Sequence, residues 1–382
     1  MTLNSDSGPW PDVATARTFL SGLIRSPAGQ PANVAVAALA RWLLRHELGP
    51  LAYERWQEQW PELAQRLRAD WYAATAENQL HQENLAQIGA VCDRRQLPVV
   101  LLKGSALAQT VYPDPACRPM SDIDLWVAPE RMDEVVAFMP SLGFVNREKV
   151  ERPTPLQALS GGEIAFYRPD WRQGLVELHW SPVGGWWQYH TADLDVAGMW
   201  QRRVPLTAAA DQAPFVFQLD PEDTIIQLAV HIAVNHQFSA TLLRSLADIG
   251  LTAVSRPVNW QLLADRAKRW RVGTAVYLTL TLTDQLFDLP ACAPARRHLQ
   301  PGRLRARLLN RLINPHKALN RADLRSGLGR HLLLLLLVDR PRDMVRLIGR
   351  TLWPTAEWRK ARYGRPTSFP RHLWYLLRNR QI

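Results

Sequence analysis

Apolar residues recur every three or four positions through most of this chain, and one stretch breaks the rhythm. Residues 34–48 carry an apolar stripe, and residues 63–93 are long, proline-free and rich in Ala, Gln and Glu. That pattern predicts a helical layer up to about residue 95, after a frayed polar start at 1–12. Nothing in the layer suggests chemistry. Residues 97–102 are then a short apolar run, partly β-branched and closed by a glycine, as a buried strand would be. Residues 106–112 suit a helix. Pro113, Pro115 and Pro119 hold the next piece as a loop, and 121–127 reads as a second strand.

Beyond that stretch, 130–142 predicts a helix stopped at Gly143, and 144–150 a short strand. Residues 153–162 read as a loop bracketed by prolines and glycines. Residues 163–168 and 174–180 form a hairpin with a long turn, and 181–215 is irregular. Asp220-Pro221-Glu222-Asp223 is a helix start, with Asp as cap and Pro at the first position. The helix runs over 222–237. On it His231 and His236 stand five apart, which on an α-helix sets them on different faces and argues against a metal pair. The next helix, 240–253, carries Arg244 and Asp248 four apart, read as a surface pair. Helices follow over 260–272 and 274–287, with a break at Pro290 and Pro294. The expected class is α+β: a catalytic core at 96–215, helical regions at 1–95 and 216–300, and a basic helical region at 301–382.

Charge changes the picture at one end only. The net charge is +11, yet residues 301–382 hold 19 Lys/Arg against 4 Asp/Glu, and the first 300 hold 27 against 31. The high pI therefore belongs to the last region. Its arginines alternate with apolar runs, and 371–380 is a basic amphipathic segment of the kind that lies on an anionic membrane or an acidic partner. Nucleic acid would use the same charge. The apolar run 332–338 is seven residues, against about 20 for a spanning helix. Cys92, Cys117 and Cys292 have no metal spacing, and an odd number argues against a disulfide framework. With no secretion signal visible, the cytoplasm is the expected location, with peripheral attachment at the inner face of the membrane as a variant. The 16 tryptophans read as core and interface packing.

The candidate chemistry lies in the stretch that breaks the rhythm. Asp122 and Asp124 are two apart on a strand, so both carboxylates leave one face, about 7 Å apart. Two carboxylates side by side repel unless a cation sits between them. Oxygen ligands of this kind suit Mg²⁺, commonly held by carboxylates together with substrate phosphates. Upstream, Gly104 lets backbone approach a ligand, and the helix after it aims free N–H groups at an anion. Strand, Gly104-Ser105 turn, helix and Asp-x-Asp strand together describe a nucleoside triphosphate site. Glu177, mid-strand between Val176 and Leu178, is the candidate third carboxylate, with Glu163 and Asp170 as runners-up. His179 shares its face, either to orient it or to cap the strand.

These residues resemble a known family. Lys103-Gly104, Ala106-Leu107, Tyr112, Asp114, Arg118, Ser121-Asp122-Ile123-Asp124-Leu125, Val127 and Glu177-Leu178-His179-Trp180 look like the uncharacterised nucleotidyltransferases of the polymerase-β-like superfamily. Arg244 with Asp248, and Arg362-Tyr363-Gly364, also fit, so that the resemblance spans about residues 33–365. It implies a small mixed sheet flanked by helices and a nucleoside triphosphate substrate. It also implies two Mg²⁺ ions (Mn²⁺ as a substitute) on Asp122, Asp124 and Glu177, with Lys103, Gly104, Ser105, Arg118 and Ser121 on the nucleotide. Arg244 and Asp248 would contact the nucleotide or brace the cleft. Trp126 departs from the aliphatic residue usual there, and Glu177 from the commoner Asp. The acceptor is open: a small molecule, peptide, protein or RNA end. Two rivals from other classes are a nucleotide-binding scaffold without turnover and a membrane- or nucleic-acid-associated factor acting through 301–382.

Overall fold

A computed structural model describes residues 12–25, 35–148, 152–170, 174–206, 214–239, 241–320 and 327–378. The expected frayed start, the end of the 144–150 strand and part of the turn after Pro169 lie outside these residues.

Among the described residues seven strands make one mixed sheet: β1 (Val99–Leu101), β2 (Asp122–Val127), β3 (Val145–Asn146), β4 (Glu163–Tyr167), β5 (Leu175–His179), β6 (Val204–Pro205) and β7 (Val216–Gln218). Their order is β3-β4-β5-β2-β1-β7-β6. β2 lies at the centre, antiparallel to β1 and parallel to β5, while β4 and β5 form the expected hairpin. This small mixed sheet with helices at both ends is the α+β arrangement the sequence predicts.

Strand alternation divides the core in two. Val99, Leu101, Ile123, Leu125, Val127, Val176 and Leu178 point to one face. There they meet Phe138, from the Met132–Phe138 helix, and Ile88 and Val91, from the end of the 34-residue Pro61–Arg94 helix. The other face carries Val100 and Trp126 into a larger apolar core shared by the Val13–Ile24, Pro221–Val230, Leu242–Ser255 and Gly273–Phe287 helices. Asp122 and Asp124 lie on this second face, at the end of β2 before Trp126 seals it. The carboxylates thus open onto a cleft between the sheet and the helices.

Three elements differ from the sequence reading. The helix expected over 106–112 runs instead from Lys103 to Thr110, so that Lys103, Gly104 and Ser105 form its first turn. The loop at 153–162 contains a helix, Thr154–Ser160, because Pro155 sits in a first turn that needs no N–H and Gly161, at φ +65°, ends it. The 181–215 stretch holds two short helices, Trp186–Thr191 and Val196–Gln201, before β6 and β7 return to the sheet edge.

Candidate active site

Parallel pairing of β2 with β5 sets Asp124 opposite Glu177 and Trp126 opposite His179. The register alone therefore gathers residues 53 positions apart. Asp124 is buried and accepts from Lys103 Nζ at 2.7 Å and from His179 Nε2 at 2.8 Å. Ligand atoms of Asp124, Glu177 and His179 lie within 4.8 Å of one another. Asp122 stands one pleat along the same face, more open to the cleft. Of the runners-up, Glu163 lies 3.9 Å from His179 Nδ1 and 3.8 Å from Arg152. Asp170 pairs with Arg168 on the turn, away from the cleft.

The charges fit a divalent cation. Burial would raise Asp124, but the Lys103 ammonium and the His179 bond hold it well below the usual carboxylate range. Glu177 goes the other way: burial, then the Asp124, Glu163 and Asp122 carboxylates, push it up to about 8. Burial and Asp124 also raise Asp122. Lys103 is itself desolvated, yet Asp124 and Glu177 keep it charged. Two of these three carboxylates hold their protons more tightly than usual, a shift that a bound cation would reverse.

The first turn of the Lys103–Thr110 helix is built around β2. Lys103 takes φ +48°, a left-handed conformation that costs a non-glycine residue about 1 kcal/mol or more. Two bonds on either side hold it there: the Leu102 N–H donates to the Asp124 carbonyl (3.0 Å), and the Asp124 N–H to Ser105 Oγ (2.9 Å). Ser105 is thus buried against β2. Gly104 lines the cleft, and its lack of a side chain has a specific cause. A β-carbon there would lie 2.0 Å from Arg118 Nη1. No side chain caps this helix start.

Arg118 lines the cleft beside Gly104 and is also held in a structural pairing. It forms a bidentate pair with Asp248, both bonds 2.9 Å, and the Tyr112 hydroxyl donates to the same carboxylate at 2.7 Å. Arg244 does not form the expected surface pair with Asp248. It reaches Glu47 and the Pro119 carbonyl (3.0 Å), and Asp248 is fully buried. Together they tie the 113–120 loop to the helical core. The long Pro61–Arg94 helix, read as bland, finishes the job: Asn78 Nδ2 donates to the Pro115 and Arg118 carbonyls, and His81 Nε2 bonds Met120 O. Their signal was two polar residues three apart on an otherwise ordinary helix.

His231 and His236 correct one part of the sequence reading, that they stand on different faces. The Pro221–Val230 helix continues as a π-helical turn, His231–Asn235, in which residues five apart share a face. Their Nε2 atoms are 2.8 Å apart, and both rings line the cleft. Burial, then Lys103 and His236, push His231 well below its ordinary range. Gln237 and Phe238 follow at φ +51° and +54°, so the strained backbone borders the same cleft.

The cleft has a volume of about 880 Å³. The carboxylates and Lys103 form its floor, and residues of the basic C-terminal region, Arg330, Arg350, Trp358 and His372, reach its rim. No periodicity could have placed them there.

Searches of curated proteins and of solved structures return no match. A family described as uncharacterised nucleotidyltransferases matches residues 33–288, a span that holds the whole floor and the Arg118–Asp248 brace and stops short of Arg362-Tyr363-Gly364. On that match, over about two thirds of its length, this chain belongs to the uncharacterised nucleotidyltransferase family.

Proposed function

We propose that the protein transfers a nucleoside monophosphate from a nucleoside triphosphate to a hydroxyl-bearing acceptor, with release of pyrophosphate and dependence on Mg²⁺. The observation that carries this reading is the register of β2 against β5, which puts Asp122, Asp124 and Glu177 on one face at the floor of a cleft. Asp122, Asp124 and Glu177 would hold two Mg²⁺ ions, with Mn²⁺ as substitute. When bound, such ions stabilise the entering and leaving oxygens of an in-line displacement.

The chain's own groups do the rest. Lys103 and the uncapped first turn, with Gly104 and Ser105, place positive charge and N–H donors on the triphosphate side. Arg118 adds charge behind Gly104, and Ser121 faces the same end. His179 and Lys103 fix the Asp124 carboxylate in one orientation. The acceptor oxygen bonds to the α-phosphorus as the bond from that phosphorus to the bridging oxygen breaks. Pyrophosphate leaves, and Glu177, on the acceptor side, helps take the acceptor proton. Most of the gain comes from positioning and charge neutralisation.

Mg²⁺-dependent labelling of a cell extract with nucleotides radiolabelled at the α-phosphate tests this. We expect label with the wild type and none with Asp122→Ala or Asp124→Ala, both folded. Equal labelling by either variant overturns the reading. Nucleotide bound with no label transferred favours the scaffold without turnover.

We also propose a cytoplasmic location with peripheral attachment to an anionic membrane. All three cysteines are free and buried, and among the described residues no helix is long and apolar enough to cross a membrane. The helix Pro341–Leu352 exposes Val345, Ile348 and Leu352 beside its arginines, which supports a surface-lying role.

A further inference from the structure

Charge is segregated along the cleft. Asp122, Asp124, Glu163 and Glu177 crowd its floor. At the rim on the β4–β5 side, Arg330 and Arg350 stand exposed, and among the described residues neither has a carboxylate within ion-pair distance. The same rim carries two indoles. Trp186 donates through Nε1 to Thr351 Oγ1 at 3.1 Å and meets the Trp358 ring edge-on at 5.6 Å. Trp187 Nε1 donates to the Leu334 carbonyl at 2.9 Å. The C-terminal region is therefore bonded to the Trp186–Thr191 helix beside the cleft. Next to it, burial and then Arg346 and Arg350 push His190 down to about 4, as a cationic corner would.

The two flanks of β2 are different in kind. Lys103, Gly104 and Arg118 lie on the β1 side, where the triphosphate is placed above. Glu177, Glu163 and the Trp186–Arg350 rim lie on the β5–β4 side, opposite. From this we infer that the basic C-terminal helices form the acceptor site, and that the acceptor is a small anion whose phosphate or carboxylate group is gripped by Arg330 and Arg350 beside the Trp186–Trp358 pair. The inference rests on the nucleotidyl-transfer reading for the word acceptor, and on this rim alone for the anion. Two guanidinium forks suit an oxyanion better than any neutral hydroxyl compound, and the indoles give a flat apolar wall for the rest of the molecule. Arg330, Arg350 and Trp358 lie outside the span matched by the family, residues 33–288, while Trp186 and Trp187 lie within it, so the anion grip is a property of this chain's own C-terminal region.

The test is calorimetric, on the full chain loaded with Mg²⁺ and a non-hydrolysable nucleoside triphosphate analogue. Inorganic phosphate, glycerol 3-phosphate and malonate are titrated in turn, which separates a phosphate from a carboxylate source. The wild type should bind at least one of them, and Arg330→Gln/Arg350→Gln should bind it about tenfold or more weakly, as loss of charge-assisted bonds predicts. The analogue's own affinity should stay within about twofold. Both arginines are exposed, so the variant should fold; Arg350→Lys, which keeps the charge, should recover part of the binding. No binding of any anion, or binding unmoved in the double variant, overturns the proposal. So does an equal loss of analogue affinity, since the arginines would then serve the triphosphate. Anion binding that survives in Asp122→Asn/Asp124→Asn, with no nucleotide bound by the wild type, would instead sink the nucleotidyl reading and leave the anion site standing.

Discussion

A β-carbon on Gly104 would lie 2.0 Å from Arg118 Nη1, and that guanidinium cannot retreat without breaking its two bonds to Asp248. Gly104→Ala should therefore cost about 2–3 kcal/mol, read as a lower urea midpoint with an unchanged slope. An unchanged midpoint would mean that Arg118 has a second place to go. Glu177 gives the opposite kind of prediction. Its folded value of about 8 stands above the ordinary 4.5, so without a cation the folded protein keeps a proton that the unfolded chain has lost. Its contribution to stability is full below about pH 4.5 and is lost as pH rises through about 8. In the presence of a chelator, Glu177→Gln should melt higher than the wild type near pH 9 and at about the same temperature near pH 4. Mg²⁺ or Mn²⁺ should raise the melting temperature of the wild type and leave the variant nearly unmoved. A variant that still gains stability from Mg²⁺ would remove Glu177 from the metal site.

Between elements, the Arg118–Asp248–Tyr112 cluster joins the proline-rich loop after the first helical turn to the Leu242–Ser255 helix. Asp248→Asn leaves a buried arginine without its counter-charge and should cost about 3–5 kcal/mol, while Arg118→Met/Asp248→Leu should recover most of that loss. A double-mutant cycle with no coupling would show that the loop is held by Asn78 and His81 instead. The same elements show what sequence can and cannot convey. The strand at 121–127, the hairpin at 163–180 and the helix start at Asp220 follow from period and punctuation, so Asp122, Asp124 and Glu177 were placed on strands from local pattern alone. What brought Glu177 opposite Asp124 was the parallel register of β2 with β5, a long-range pairing that no window of residues contains. His231 and His236 were misplaced because one inserted residue per turn changes which spacing shares a face, and nothing in HIAVNH marks that turn. Asp248 looked like a surface residue because its partners, Arg118 and Tyr112, lie more than 120 positions away.

Across the whole molecule, the basic C-terminal region is part of the core as well as a charged surface. Leu309, Leu319, Leu333, Leu337 and Leu347 are buried in the same cluster as Leu43 and Leu246. Asp339 accepts the Gly273 and Thr274 N–H groups at 2.8 and 2.9 Å, supplying the cap that Val272 cannot. Cutting the chain at residue 300 should therefore abolish a cooperative melt, and loss of activity on deletion would say nothing about membranes. The outer surface has to be tested by substitution. Val345 and Leu352 are 69% and 68% exposed on the Pro341–Leu352 helix, and Trp353, which follows it, 61%, with exposed Arg342 one turn before Val345. Such a stripe is costly in water, whereas on an anionic bilayer apolar burial and charge act together. The full chain should sediment with vesicles containing phosphatidylserine at low salt, and lose that association in high salt or on pure phosphatidylcholine. Val345→Asn/Leu352→Asn should release it with the melting temperature and nucleotide affinity kept, because neither side chain touches the core. Equal binding to neutral vesicles would assign the surface to apolar contact alone. No binding to either would leave the arginines of this region to the cleft, which Arg330 and Arg350 line.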